Sequence, residues 1–235
     1  MTISLIKTLT PHPKINIKTL ILSRFNLFYA HTKRDEIISN QINNIVKENQ
    51  FINNAAIPIQ KHTDKILFVN SPGIYSCYDG LISNLNSPVI LSLSVADCTP
   101  VCMYDSDTGN YGLIHSGWKG TSKKISSKAV MLMQEKGSEI YNIKIYLGPS
   151  ISQINYEVDE DVASLFSAKN LIRLKNKFLL DIKSQIIDDL IDVGIKSKNI
   201  SSSSICTYSN LDFPSYRRDG NKTGRLIFLM GDLHG

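Results

Sequence analysis

Apolar side chains recur along the chain at two periods, and the two alternate throughout its length. Four segments carry the three-and-four spacing that gives a helix one apolar face: Ile38, Ile42, Ile45 and Val46; Ile125, Ala129, Leu132 and Met133; Val158, Val162, Leu165 and Phe166; and Ile182, Ile186, Leu190 and Val193. The second should stop before Gly137 and the fourth before Gly194, where glycine accepts a left-handed backbone, and Asp181 is placed to cap the start of the fourth. Short β-type runs lie between them at residues 66–69, 89–95, 101–104, 111–114, 143–147 and 226–230. Two or three adjacent strands around residues 89–114, in place of strict β-α-β alternation, predict an α+β fold with mixed β-sheets layered between outer helices. No repeat or long linker divides the sequence, so residues 1–235 are expected to form a single domain.

One local pattern carries more than fold information. Asp105-Ser106-Asp107-Thr108-Gly109-Asn110 is a dense turn signal between two β runs, which predicts an antiparallel hairpin. With Tyr104 opposite Tyr111, the register sets Val101 against Ile114 and Pro100 against His115. Cys98 and His115 then fall on adjoining strand ends, and at about 3.3 Å per residue both side chains reach one point. Pro100 disfavours a continuous ladder through residues 96–99, so Cys98 should sit on a bend. His115-Ser116-Gly117-Trp118-Lys119-Gly120 opens the second helix, and its glycines offer free N–H groups to a phosphate, a carboxylate or a developing oxyanion.

Two chemistries fit a cysteine beside a histidine. In one, His115 takes the thiol proton and Cys98 attacks an acyl carbon, with Asp97 or Asp79 orienting the base. In the other, Cys98 and His115 are zinc ligands joined by a third, and one coordination position stays open. His62, just before the run at 66–69, ranks first as third ligand; His12, His31 and His234 fall in polar or terminal segments.

Composition narrows the setting. Lys plus Arg number 26 against 21 Asp plus Glu, a formal charge of +5, too small a surplus to argue for nucleic acid. The six basic residues within positions 1–34, where no acid occurs, read as a solvated surface. The longest apolar stretches fall short of a membrane span, and no leader pattern is evident, which points to a cytoplasmic protein. The four cysteines form no CxxC pair and are expected to stay reduced.

Five separated motifs then combine: Gln60-Lys61-His62; Ala96-Asp97-Cys98-Thr99-Pro100; His115-Ser116-Gly117-Trp118-Lys119-Gly120; Gly148-Pro149-Ser150-Ile151 with Tyr156-Glu157-Val158; and Ser215-Tyr216-Arg217-Arg218-Asp219-Gly220 with Thr223-Gly224-Arg225. In this order, over about residues 20–230, they resemble the YfiH-like laccase-domain family, also called multicopper polyphenol oxidoreductase laccases. The resemblance implies an α/β/β/α sandwich and a zinc site made by His62, Cys98 and His115. It also implies phosphorolysis of adenosine, inosine and methylthioadenosine, with adenosine deamination at the same site. Copper-dependent polyphenol oxidation and amidase editing of cell-wall precursors are other activities associated with the family; a non-enzymatic zinc-stabilised binding module is a further alternative.

Nucleoside and phosphate are the implied partners, and the protein is expected as a monomer or small homo-oligomer. Arg218 matches the family's Ser-x-x-Arg-Asp-Gly arginine and is the expected anion ligand, with Arg217 and Arg225 free to pair with Asp219 or Asp212. Arg24, Gly117 and Lys119 complete the expected substrate side, and Asp97 and Asp79 are candidates for proton transfer or for holding a metal ligand. The sequence departs from the family at Ser23-Arg24-Phe25-Asn26, where a glycine-rich segment is usual, at Thr63, at Ile154-Asn155, where cysteines are usual, and at Lys119, where arginine is common.

Overall fold

The computed structural model describes residues 3–12, 15–22, 55–86 and 89–231, the first two stretches by their backbone. The helix expected around Ile38–Val46, the side chain of His12, and Arg24, His31 and His234 lie outside what is described.

Two six-stranded sheets dominate. The first runs in the order β1 (Ile3–His12), β2 (Ile15–Leu22), β15 (Leu226–Gly231), β7 (Ile90–Val95), β3 (Ala55–Ile59), β5 (Gly73–Ser76). The second runs β14 (Ile200–Ser202), β10 (Lys144–Leu147), β8 (Thr99–Tyr104), β9 (Asn110–Ser116), β6 (Gly80–Asn84), β4 (Ile66–Phe68). A small third sheet joins β11 (Glu157–Val158), β13 (Phe178–Leu180) and β12 (Leu171–Arg173). Both large sheets are mixed: β3 is parallel to β5 and β7, whereas β15 is antiparallel to β2 and β7.

Period-two alternation places the second sheet in the middle. Val101, Met103, Ile114 and Ile82 face the helices Ile125–Glu135 and Ile182–Asp192, packing on Ala129, Met133, Ile186 and Leu190. The intervening Cys102, Tyr104, Leu113 and Leu81 turn to the first sheet and meet Leu91, Leu93, Leu226 and Phe228. A one-residue slip in β8 or β9 would exchange these two faces, so burial on both sides fixes the register that the turn initiates. The observed pairs are Tyr104 with Tyr111, Val101 with Ile114 and Pro100 with His115, as expected.

Several elements differ from expectation. The strand β7 does not pair with β8; it belongs to the first sheet between β15 and β3, because the chain crosses from one sheet to the other at residues 96–98. Pro100 lies within a paired strand, and the ladder extends to Thr99 opposite Ser116. The segment after His115 forms a separate short helix, Trp118–Ser122, before Lys124 takes φ 57° and the helix Ile125–Glu135 begins. Val158 is in a strand, and the helix following it covers only Glu160–Ala163. The fourth helix fits its pattern: the Asp181 carboxylate accepts from Ser184 N at 2.9 Å, and Gly194 adopts φ 103° beyond the end. Among the described residues no helix is long and apolar enough to cross a membrane.

Candidate metal centre

Two loops and one strand end converge at this site. Residues 60–63 leave β3, residues 96–98 cross between the sheets, and His115 lies near the end of β9. One potential ligand atom each from His62, Cys98 and His115 lies within 4.8 Å of the other two. The imidazoles of His62 and His115 meet edge to face, with centroids 4.8 Å apart. His115 is buried, Cys98 half-buried and His62 exposed, so the cluster opens to solvent through His62.

The space around the triad is held open for it. A Cβ on Gly117 would stand 2.8 Å from Cys98 Sγ and 3.4 Å from His62 Cδ2, so any side chain there would enter the ligand cluster. Gly117 thus contributes a gap, and its carbonyl accepts from Thr121 N at 2.8 Å and Thr121 Oγ1 at 2.9 Å, fixing the turn into the short helix.

Asp79, at the foot of β6, organises two of the three ligands. Its carboxylate accepts from the backbone N–H of Lys61 (3.2 Å), His62 (3.0 Å) and Thr63 (2.7 Å) and from Thr63 Oγ1 (2.8 Å). His115 Nδ1 donates to the same carboxylate at 2.7 Å, leaving Nε2 for the cluster. These bonds hold His62 in a left-handed backbone, φ 57°, which a non-glycine residue adopts only at a cost. Burial opposes the Asp79 charge, but the hydrogen bond and charge of His115 and the Thr63 donors outweigh it and bring the carboxyl down to about 2.

Asp97, next to Cys98, faces the opposite way. Its carboxylate accepts from Thr207 Oγ1 at 2.6 Å, Ser215 Oγ at 3.1 Å and Arg217 N at 2.6 Å, and its carbonyl accepts from Ile151 N at 3.0 Å. Burial disfavours a charged Cys98 thiol, yet the charge and hydrogen bonds of His115, then those of His62, outweigh it and lower the thiol below its ordinary range. Burial likewise disfavours the His115 cation, and Cys98 together with Asp79 raises it. Two imidazoles and a thiol poised to ionise form a donor set suited to a borderline-soft divalent metal.

The remaining expected residues are distributed around this core. Lys119 is exposed, with Nζ 5.4 Å above the Trp118 ring, and Trp118 packs on the helix-side core. Arg218 turns toward its own loop: its guanidinium donates to the carbonyls of Thr207, Tyr208 and Phe213 and to both carboxylate oxygens of Asp219, at 2.7 to 3.1 Å. Arg225 is buried and donates to Gly224 O at 2.8 Å. Tyr156 is half-buried; burial and the neighbouring Cys98 push its phenol above the ordinary range, while Arg217 pulls it back.

Two residues outside the expected site also stand out. Thr63 supplies two of the bonds to Asp79, one from its backbone N–H and one from its hydroxyl. Cys206 receives hydrogen bonds from Ser152 N (3.3 Å), Ser152 Oγ (3.1 Å) and Asn155 Nδ2 (3.4 Å). Against the opposing effect of burial, donors from Ser152 and Ser209 lower its thiol to about 6.

Residues 16–231 match the family described as multi-copper polyphenol oxidoreductase laccase. Purine nucleoside phosphorylase SERP0752 of Staphylococcus epidermidis is 30% identical over 242 residues, spanning 95% of this chain and 87% of the relative. Purine nucleoside phosphorylase YlmD of Bacillus subtilis is 38% identical over 162 residues, spanning 65% and 58%. Among solved structures, YlmD from Geobacillus stearothermophilus superposes with a TM-score of 0.83 at 23% identity, covering 94% of this chain and 92% of that one. The Bacillus licheniformis protein YfiH superposes with a TM-score of 0.79 at 24% identity, covering 95% and 98%; both likenesses are of fold.

Proposed function

Because the chain belongs to the multi-copper polyphenol oxidoreductase laccase family, we propose that it is a zinc-dependent purine nucleoside phosphorylase acting on adenosine, inosine and methylthioadenosine, with adenosine deamination at the same centre. The observation that carries this reading is the convergence of His62, Cys98 and His115 around the gap left by Gly117. Relatives named purine nucleoside phosphorylase at 30% and 38% identity support the substrate class. Among the described residues this is the single cluster of at least three such donors, which supports a one-ion enzyme over an electron relay between copper centres.

His62, Cys98 and His115 would hold the zinc, leaving a fourth position for a reactant. When bound, zinc supplies a Lewis acid and lowers the pKa of a bound water toward about 7. The protein's own groups position and exclude. Asp79 fixes the His115 tautomer and the His62 loop through five hydrogen bonds, and Asp97 fixes the backbone beside Cys98. In phosphorolysis a phosphate oxygen bonds to C1′ as the C1′–N bond breaks, and the electron pair leaves with the purine, which takes up a proton. That displacement needs cationic or N–H donors for the phosphate, for which the Gly117 turn and Lys119 are available two residues apart, with Arg24 as the expected N-terminal contributor.

The Cys98–His115 contact also fits a cysteine amidase, but that mechanism has no use for His62 in the cluster or for the gap at Gly117. Metal dependence separates the two. Chelation should abolish phosphate-dependent release of adenine or hypoxanthine, and stoichiometric zinc should restore it; metal-free protein that keeps full turnover would refute the zinc reading.

A further inference from the structure

The Ser215–Gly220 segment presents two consecutive arginines, and the structure gives them opposite tasks. All the donor directions of the Arg218 guanidinium are engaged: Nε and one Nη meet Asp219, and the Nη groups reach the carbonyls of Thr207, Tyr208 and Phe213. Its charge is matched by Asp219, 2.9 Å away. A guanidinium so enclosed closes a loop and has no edge left for an incoming anion.

Arg217 is the reverse. Its backbone is fixed, because its N–H donates to Asp97 Oδ2 at 2.6 Å, one residue from the ligand Cys98. Its side chain is exposed, and the guanidinium lies 5.4 Å above the Tyr156 ring. One hydrogen bond, Nη1 to Glu157 O at 2.8 Å, orients the plane, and among the described residues its other N–H groups have no partner. The acids next to that carbonyl do not neutralise it: Lys177 Nζ lies 2.8 Å from Asp159 and 3.8 Å from Glu157. Tyr156, over which the cation rests, is within electrostatic reach of Cys98.

A backbone fixed to the residue next to Cys98, a planar cation steadied on an aromatic face and an open bidentate edge form a receptor for a tetrahedral dianion. We infer that Arg217, not Arg218, is the residue that binds inorganic phosphate, with Tyr156 as the platform that orients it. This assignment rests on the phosphorylase reading and names the residue that would set its phosphate specificity. Arg218 is a positioning residue that holds the loop carrying Arg217.

The test uses zinc-loaded full-length protein as parent, Arg217→Ala and Arg217→Lys, with zinc content measured for each. Titration with inorganic phosphate alone is expected to show binding to the parent, weakened about 10- to 100-fold in Arg217→Ala and partly restored in Arg217→Lys, which keeps charge and loses the fork. Steady-state phosphorolysis should show the phosphate KM rising by a similar factor in Arg217→Ala while the nucleoside KM stays within about twofold. Equal phosphate affinity in parent and Arg217→Ala, or equal rises in both KM values, would overturn the inference. If the parent binds phosphate through Arg217 yet cleaves no nucleoside, the function fails and the anion site stands.

Discussion

Asp79 and Asp97 are both buried carboxylates flanking the His62–Cys98–His115 cluster, Asp79 through its bonds to two of its members and Asp97 through the chain next to Cys98, and the chain uses them for different ends. Asp79 draws on neighbours 16 to 18 residues earlier in sequence and on His115, so its bonds act on the candidate ligands themselves. Asp97 draws on Thr207, Ser215 and Arg217, 110 to 120 residues away, and ties the C-terminal loop to the backbone of Cys98. One carboxylate shapes the candidate ligand cluster; the other sets the C-terminal loop that carries Arg217. A buried acid near a candidate centre is therefore not yet a proton shuttle, and its bonding partners determine what its removal does.

The largest effect should come from Asp79→Ala. It leaves three backbone N–H groups and His115 without their acceptor, and about 3–5 kcal/mol of stability should be lost together with zinc binding, read by urea denaturation and metal analysis. Asp97→Ala should act on the other side of the comparison. It should lower stability by about 2–3 kcal/mol and raise the phosphate KM through Arg217, while zinc content stays near that of the parent. Equal zinc loss in the two variants would erase the distinction drawn between the carboxylates.

A pH titration sharpens the contrast within Asp79 alone. Its carboxyl stands at about 2 in the folded protein against a reference value of 3.8, so the ionised form favours folding. That contribution, about 2 kcal/mol, is fully present above pH 4 and is lost as the pH falls through 2. In metal-free protein the stability gap between parent and Asp79→Asn should narrow over that window, as measured by denaturant midpoints. Thr207→Val is the mildest break. It removes one of three donors to Asp97 and should cost about 1 kcal/mol, with zinc content unchanged.

How much of this was legible depends on sequence distance. The β8–β9 register followed from a dense turn and alternating strands, so Cys98 and His115 could be brought together from local pattern alone. His62 ranks first among the remaining histidines by its place before a β run, but no spacing brings it to the other two, since its position beside them depends on Asp79 gripping a loop across two strands. The partners of Asp97 lie more than 100 residues away and carry no local signal. The Arg217–Arg218 pair shows the same limit: adjacent arginines are equivalent in a motif, and only the carbonyls of the 207–213 loop reveal which one is enclosed. β7 was recognised as a strand, but its membership of the other sheet was not, because the crossing at residues 96–98 resembles a hairpin bend in pattern.

The most direct measurement is the zinc stoichiometry of the purified protein beside that of His62→Asn. Asparagine tolerates the left-handed backbone at this exposed position, so the change removes the imidazole with little other disturbance. The account predicts about one zinc per chain in the parent and loss of most of it in the variant, because one of three protein ligands is gone. A variant that retains the parent's full zinc would contradict it.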